Sequence, residues 1–132
     1  MTVELDVGPG TVTIAEGRIE GAIEEQLERY LGGEPVSFDH RIDLTDRSPF
    51  TQEVLQAVQR IGYGKTRTYG EVADAVGTPA AAQAVAQACG SNPVPIIIPC
   101  HRVVAADGLG GYRHGKPVKT ALLELEGATP DT

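Results

Sequence analysis

The chain of 132 residues is poor in aromatic residues and in cysteine. It has no Trp, two Phe and four Tyr, so its core must be built mainly from aliphatic side chains. Its two cysteines, Cys89 and Cys100, are too few for a disulfide framework, and together with three His they match no zinc-ligand spacing. We therefore expect no metal site, and free thiols suit a reducing cytoplasm.

Segments that would lead the chain into or across a membrane are also lacking. The N-terminus has neither the basic nor the apolar region of a signal peptide. The longest stretch without Asp, Glu, Lys or Arg, residues 75–101, contains four Pro and two Gly and therefore does not predict a transmembrane helix. We expect a globular protein without membrane contact.

Positive charge is scarce in the first third of the chain. Residues 1–45 carry ten acidic and three basic side chains, whereas residues 46–132 carry eight of each. Bulk charge therefore cannot drive binding to nucleic acid, which would need shape, helix ends and a few placed side chains. Acidity combined with only three Lys fits either adaptation to high salt or an ordinary acidic surface, and both interpretations stay open.

The hydrophobic pattern divides the chain into two parts. In residues 1–45, alternation around residues 8–10 predicts a β-hairpin, helical spacing predicts an amphipathic helix over 19–31, and residues 36–44 are expected to be extended. The expected fold class is thus α/β in the α+β sense, with a small sheet-and-helix domain at the N-terminus. Residues 46–132 predict a helical, winged-helix-like domain.

The second part has clear helix-start signals. Ser48 and Pro49 predict the start of a first helix, and Thr68 has a capping-box partner three residues later. Thr78-Pro79 is expected to cap an alanine-rich helix that ends at Gly90. The helix that starts at Thr68 and the alanine-rich helix together predict a helix-turn-helix, although an ordinary αα-hairpin has the same pattern. The remaining predicted elements are a strand over 96–98, a glycine-rich loop over 107–115 and a helix over 117–127.

A chemically promising tetrapeptide, Pro99-Cys100-His101-Arg102, follows the predicted strand. A cysteine reacts as its thiolate, and a neighbouring His or a helix start lowers the thiol pKa. A Cys-His pair alone is weak support, because a free Cys is more often a buried hydrophobe. The longer string NPVPIIIPCHRVV, from Asn92 to Val104, is far more specific and resembles the active-site signature of the O6-alkylguanine-DNA alkyltransferases, the methylated-DNA–protein-cysteine methyltransferases.

The resemblance extends from Leu44 onward and includes residues 61–73 and 118–127, while the front part is shorter than the family's usual N-terminal domain. It implies DNA repair by irreversible, single-turnover, cofactor-free transfer of an alkyl group to cysteine. The donor would be O6-alkylguanine, with O4-alkylthymine as a further candidate, in double-stranded DNA. The family pattern also implies a monomer that binds the minor groove and flips the target base out of the duplex.

The resemblance assigns four residues to the chemistry. Cys100 matches the nucleophile, and His101 matches the base that relays the thiol proton through a water. Glu126 matches the acid that orients this His, and Asn92 matches the residue that braces the turn before the active site. This arrangement predicts that His101 and Glu126 lower the pKa of the Cys100 thiol.

A second set of residues is expected to hold substrate and DNA. Tyr69 matches a residue at the phosphate and base pocket, and Arg102 is grouped with this set although its expected role is to tie the site loop to the domain. The others are the expected recognition-helix residue Gln83 and the pocket-wall residues Val103, Tyr112 and Gly115.

Two departures from the family pattern stand out. Gln83 occupies the position where the family usually has an Arg that enters the base stack, so DNA affinity and base flipping are expected to be weaker. Residues 112–115 are bulkier than the small residues that many members carry, which predicts restriction of large adducts. Cys89 is expected to be a core residue and not a second acceptor.

Two other functions are compatible with parts of the pattern. A protein that binds DNA adducts without repairing them, like the alkyltransferase-like proteins, would lack the nucleophilic cysteine, whereas Cys100 is present. A hydrolase could use Cys100 and His101, and it would turn over repeatedly instead of stopping after one event.

Overall fold

The computed structural model describes residues 2–128 and has the predicted α+β fold. In the described residues, two small two-stranded sheets and five α-helices surround one hydrophobic core. The outermost residues of the two predicted domains, residue 1 and residues 129–132, lie outside the described part of the chain.

The N-terminal β-hairpin is confirmed. Strand β1 (Val3–Asp6) pairs antiparallel with β2 (Thr11–Ile14). In β2 the side chains alternate, so that Val12 and Ile14 are fully buried while Thr11 and Thr13 are exposed. This period of two is the pattern expected for a hairpin with one face on the core.

Helix α1 (Glu24–Leu31) is shorter than the predicted helix over 19–31. Ile19 is extended and forms a bridge with Ile42 instead of a helical turn. Gly21 has a positive φ of 107°, which a right-handed helix cannot include. The segment over 36–44, predicted to be extended, forms that single bridge at Ile42 and no strand in the described residues.

Helix α2 (Pro49–Gln59) begins as predicted. The Ser48 side chain accepts a hydrogen bond from the backbone amide of Thr51, which satisfies one of the free N–H groups of the first turn. Its buried face packs into the centre of the core, through Val54, Leu55 and Val58.

The two helices α3 (Tyr69–Ala75) and α4 (Ala82–Gly90) form the predicted helix-turn-helix pair. Both hydrogen bonds of the capping box are present between Thr68 and Glu71. The expected cap at Thr78-Pro79 is wrong, because α4 starts later, after Ala81, without a side-chain cap. Residues 78–81 form a separate turn that is closed by a 2.9 Å bond from the Ala81 amide to the Thr78 carbonyl.

The predicted strand over 96–98 is also wrong. Ile96 has a positive φ of 75°, and the Ile98 amide bonds back to the Val94 carbonyl at 2.9 Å, so the segment is a tight buried turn. The surrounding prolines lack the amide donors that a sheet ladder needs. A 3-10 turn, Cys100–Arg102, follows directly.

The chain then pairs with an earlier strand before the last helix. Strand β4 (Val103–Val104) lies parallel to β3 (Arg67–Thr68), and helix α5 (Lys116–Leu125) closes the fold. None of the helices within residues 2–128 is long and apolar enough to cross a membrane.

Candidate active site

The Glu126 carboxylate lies at the centre of a buried hydrogen-bond network just after α5. One oxygen, Oε2, accepts bonds from Nε2 of His101 at 2.6 Å and from the hydroxyl of Tyr30 at 2.5 Å. Arg102 donates to both oxygens, with Nε to Oε1 at 2.8 Å and Nη2 to Oε2 at 3.0 Å. Burial alone would raise the pKa of Glu126, but the bonds from His101 and Arg102 outweigh it and lower the pKa to about 2.

His101 is oriented by this network and is kept neutral by its burial. Its Nε2 faces a carboxylate that only accepts, so the hydrogen is assigned to Nε2 and Nδ1 is left as an acceptor. Nδ1 is buried and has no hydrogen-bond partner among residues 2–128. Burial lowers the pKa of His101, and this effect outweighs the attraction of Glu126 for the protonated ring. The imidazole can therefore receive a proton at Nδ1.

Cys100 is 4% exposed and begins the 3-10 turn that also carries His101 and Arg102. Burial raises the pKa of its thiol well above the usual value, and neighbouring Cys89 adds to the rise, while Asn92 and Lys119 oppose it. The expectation of a lowered thiol pKa is therefore wrong for the resting site. A three-residue turn offers little helix dipole, and the buried thiol loses the solvation that its anion would need.

Asn92 braces the turn that leads to Cys100. Its Oδ1 accepts from the Val94 amide at 2.9 Å, and its Nδ2 donates to the Ile98 carbonyl at 2.7 Å. Both bonds are buried, and together they close the ends of the turn that replaces the predicted strand. This buried turn over 94–98 therefore fixes where the chain enters the 3-10 turn that carries Cys100.

Lys119 is a buried site residue that the sequence interpretation missed. Its side chain is fully buried, and Nζ donates to the Val103 carbonyl at 2.6 Å and to the Gly111 carbonyl at 3.0 Å. Burial lowers its pKa to about 8. Its position on the same helical face as buried Leu122 and Leu123 was the signal in the sequence, because a Lys on an apolar face needs buried partners.

A cavity of about 280 Å³ opens in front of the Cys100 thiol. Its lining comes from α3, α4, the 3-10 turn and the glycine-rich loop, namely Tyr69, Ala86, Cys89, Gly90, Cys100, Gly111, Tyr112 and Arg113. The Tyr69 hydroxyl donates to the Gly111 carbonyl at 3.3 Å, whereas the Tyr112 hydroxyl is buried without a partner among the described residues. Tyr112, one of the lining residues, therefore has a buried hydroxyl with free hydrogen-bonding capacity.

Two residues expected in the pocket wall lie elsewhere. The side chain of Val103 is fully buried, and its carbonyl is occupied by Lys119. Gly115 precedes the first turn of α5 with a positive φ of 99°. Neither residue is part of the cavity lining in the described chain.

Arg102 and Gln83 are both among the residues expected to hold substrate and DNA, but only Gln83 is exposed. Arg102 is 6% exposed, bonds through Nη1 to the Ile61 carbonyl at 2.6 Å, and places its guanidinium 5.8 Å from the centre of the Tyr63 ring. Its grouping with DNA-contacting residues is therefore corrected, because its guanidinium is enclosed and ties the site loop to the fold. Gln83 is exposed in the first turn of α4.

The Cys100 thiol thus lines the cavity, and the next residue, His101, is hydrogen-bonded to the buried Glu126 carboxylate. A family model described as "6-O-methylguanine DNA methyltransferase, DNA binding domain" matches residues 49–128, which include all three. The chain belongs to this family. The matched residues cover the helix-turn-helix pair, the active-site turn and α5.

Two curated relatives in this family are named methylated-DNA–protein-cysteine methyltransferase. The protein from Mycobacterium bovis is 50% identical over 111 residues, which cover 83% of this chain and 66% of the relative. The protein from Methanopyrus kandleri is 45% identical over 126 residues, which cover 93% of this chain and 92% of the relative. The chain thus spans about two thirds of the mycobacterial protein and nearly all of the archaeal one.

A solved structure supports the same family fold. The crystal structure of Mycobacterium tuberculosis OGT in complex with DNA superposes with a TM-score of 0.79 at 38% identity, covering 96% of this chain and 91% of that one. The likeness therefore includes the N-terminal hairpin and α1 as well as the residues that the family model matches.

Proposed function

We propose that the protein repairs alkylated DNA by transferring one alkyl group, irreversibly, from O6 of guanine to Sγ of Cys100. The observation that carries this proposal is the cavity in front of the buried thiol, backed by His101 and Glu126. Membership of the family and the names of the curated relatives support the same reaction. O4-alkylthymine is a second substrate of the same chemical type.

The proposed chemistry needs neither a metal nor a cofactor. The Cys100 thiol gives its proton to Nδ1 of His101, relayed through a water, and the sulfur attacks the alkyl carbon. The carbon–O6 bond breaks, the electron pair stays on O6, and the guanine is restored when a proton returns from His101. The buried Glu126 carboxylate stabilises the imidazolium during the transfer.

The raised thiol pKa suits this order of events. A permanently ionised thiolate would need solvation that the buried site lacks, whereas a neutral thiol beside a neutral base needs none until the substrate arrives. Deprotonation then coincides with attack. The thioether that forms on Cys100 cannot be reversed by the same groups, so each molecule reacts once.

DNA is the proposed partner. The similarity to an OGT–DNA complex supports binding of DNA through the helix-turn-helix pair α3 and α4. We propose that α4 enters the minor groove, because its residues are uncharged and mostly small, and that the target nucleotide is flipped into the cavity, because O6 in a stacked base cannot reach a buried thiol. A monomer in the cytoplasm is sufficient for this single-turnover reaction.

The cavity rim supports a preference for small adducts. Arg113 lines the cavity, and the His114 ring packs at 5.4 Å from the ring of Tyr112. These side chains leave less width than the small residues common in the family.

The division of the chain into units 1–45 and 46–132 stays a prediction, which limited proteolysis tests.

Intact-mass measurement after mixing with an O6-methylguanine duplex tests the proposal. We expect a gain of one methyl group per molecule, located on Cys100 by peptide mapping. Cys89→Ser should still react, whereas Cys100→Ser should not. Binding without a mass change would favour a non-repairing adduct-binding protein, and repeated turnover would favour a hydrolase.

A further inference from the structure

A side chain from the N-terminal part of the chain reaches the centre of the active site. Tyr30, in the last turn of α1, is fully buried, and its hydroxyl donates to Oε2 of Glu126 at 2.5 Å. The same oxygen accepts the bond from Nε2 of His101 at 2.6 Å. Tyr30 and His101 therefore share one acceptor atom, although 96 residues separate Tyr30 from Glu126 in sequence.

The Tyr30 ring is fixed by its neighbours. The ring of Phe38 meets it edge-on at 5.9 Å, and the ring of Tyr63 does the same at 6.1 Å. Burial, followed by the charge of Glu126, raises the pKa of Tyr30 far above its usual value. The phenol therefore stays protonated near neutral pH and acts as a donor, and the two flanking rings hold it against the carboxylate.

We infer that Tyr30 is a positioning residue for alkyl transfer, whose hydroxyl holds and partly neutralises the Glu126 oxygen that orients His101. This inference rests on the proposed function of Cys100 and His101. It also assigns residues 1–45 a part in the active site, because α1 supplies the group that completes the carboxylate's hydrogen bonds.

The physical effect of the hydroxyl can be derived from charge. Each donor on Oε2 reduces the negative charge that the His101 ring experiences. Without the Tyr30 donor the carboxylate attracts a protonated imidazole more strongly, so the pKa of His101 rises. The transfer needs neutral His101 as its base, and therefore the acid limb of the pH–rate profile moves to higher pH.

A role in packing alone makes a different prediction. Loss of a buried contact lowers the thermal midpoint and slows transfer by the same factor at every pH, because the protonation of His101 is then unchanged. The pH at which the rate reaches half its plateau therefore separates a positioning role from a structural one.

The test is Tyr30→Phe, which keeps the ring between Phe38 and Tyr63 and removes only the hydroxyl. Single-turnover methyl uptake from a methylated duplex is followed by intact mass between about pH 5.5 and 9. We expect the acid limb to move upward by about one pH unit, which is the size of a charge-assisted hydrogen-bond effect on a pKa. Duplex affinity and the final uptake of one methyl group should match those of the parent protein.

The matched control is Tyr63→Phe. The Tyr63 hydroxyl donates to the carbonyls of Gly33 and Leu125 at 3.4 and 3.3 Å and makes no bond to Glu126. The Tyr63 ring packs against the ring of Tyr30. Tyr63→Phe therefore removes a nearby hydroxyl without touching Oε2 of Glu126. The Tyr63→Phe acid limb should coincide with that of the parent.

The possible failures can be told apart. If the parent protein takes up no methyl group, the proposed function fails. If the parent reacts and Tyr30→Phe has the parent's acid limb, only the role of Tyr30 is overturned. Should Tyr30→Phe not fold, fluorotyrosine placed at position 30 provides a stronger donor, and it should move the limb downward; an unmoved limb would again overturn the inference.

Discussion

The two sides of the Cys100 thiol are built in opposite ways. Behind it, the Glu126 carboxylate is enclosed: Oε2 accepts hydrogen bonds from Tyr30, His101 and Arg102, and Oε1 accepts from Arg102 and the Gly64 amide. In front of it, the cavity wall includes Tyr112, whose buried hydroxyl has no partner among the described residues. The back of the site is complete without substrate, whereas the front has polar capacity that a bound base can use.

This difference separates the energetic tasks of the two sides. A fully bonded buried ion network costs much to disrupt, since removing one partner leaves the others buried and uncompensated. An unpartnered buried hydroxyl is itself unfavourable, and substrate binding can relieve that cost. Changes behind the thiol should therefore lower stability and affect the base together, and changes in front should affect substrate use without lowering stability.

The largest expected effect is at the junction of the two sides. Cys100→Ser replaces the thiol by a much poorer nucleophile, so methyl uptake should fall below detection while DNA binding persists. Intact mass and duplex binding measured on the same sample check both parts. Cys89 lines the same cavity. The control variant is therefore Cys89→Ser, which should retain uptake of one methyl group. Uptake by Cys100→Ser would remove Cys100 from the chemistry.

The next effect tests the back of the site through Glu126→Gln. Because the pKa of Glu126 is lowered from 4.5 to about 2, the carboxylate contributes stability above pH 4.5 that is lost as the pH falls from about 4.5 towards 2. The substitution should cost roughly 3 kcal/mol of unfolding free energy near pH 7. Urea unfolding at several pH values measures this loss.

The same variant should also slow methyl transfer, because His101 loses its orienting anion. Exposed Glu124, in the last turn of α5, gives the control Glu124→Gln, which removes an equal charge outside the network. If both variants unfold at the parent's urea concentration at pH 7, the network behind the thiol is not a major source of stability.

A smaller effect is expected in front of the thiol for Tyr112→Phe. Removal of a buried hydroxyl without a partner should leave the unfolding free energy unchanged or raise it by up to about 1 kcal/mol. If the hydroxyl bonds the flipped base, the transfer rate should fall about tenfold, which corresponds to ~1.4 kcal/mol. Thermal unfolding and single-turnover rates measured together decide the point. A clear loss of stability would show that the front of the site is as tightly bonded as the back.

The smallest expected effect concerns the protein's outer surface. Gln83→Arg adds a positive charge to the first turn of α4 and should raise duplex affinity a few-fold at low salt, with the gain shrinking as salt rises. Exposed Gln87, one helical turn further on, gives the control Gln87→Arg. Equal gains for both variants would indicate general charge attraction and would leave no special role for position 83.

Local sequence patterns predicted several elements correctly. The hairpin, the start of α2 at Ser48 and the capping box at Thr68 depend on residues within a few positions of one another. The string from Asn92 to Val104 also carried the family resemblance, since it is contiguous. The strand over 96–98 failed because apolar composition indicates burial, while neighbouring prolines and the bonds of Asn92 decide the backbone path.

The sequence by itself determined the proposed reactive residues Cys100 and His101, the helix-turn-helix pair and the acidic bias of the first third of the chain. Only the tertiary structure decided that Tyr30 joins Glu126, that Lys119 is buried, and that the thiol pKa is raised. The physical reason is the same in each case. Burial and long-range hydrogen bonds set the protonation states and partners of these groups, and both depend on residues that are distant in the chain.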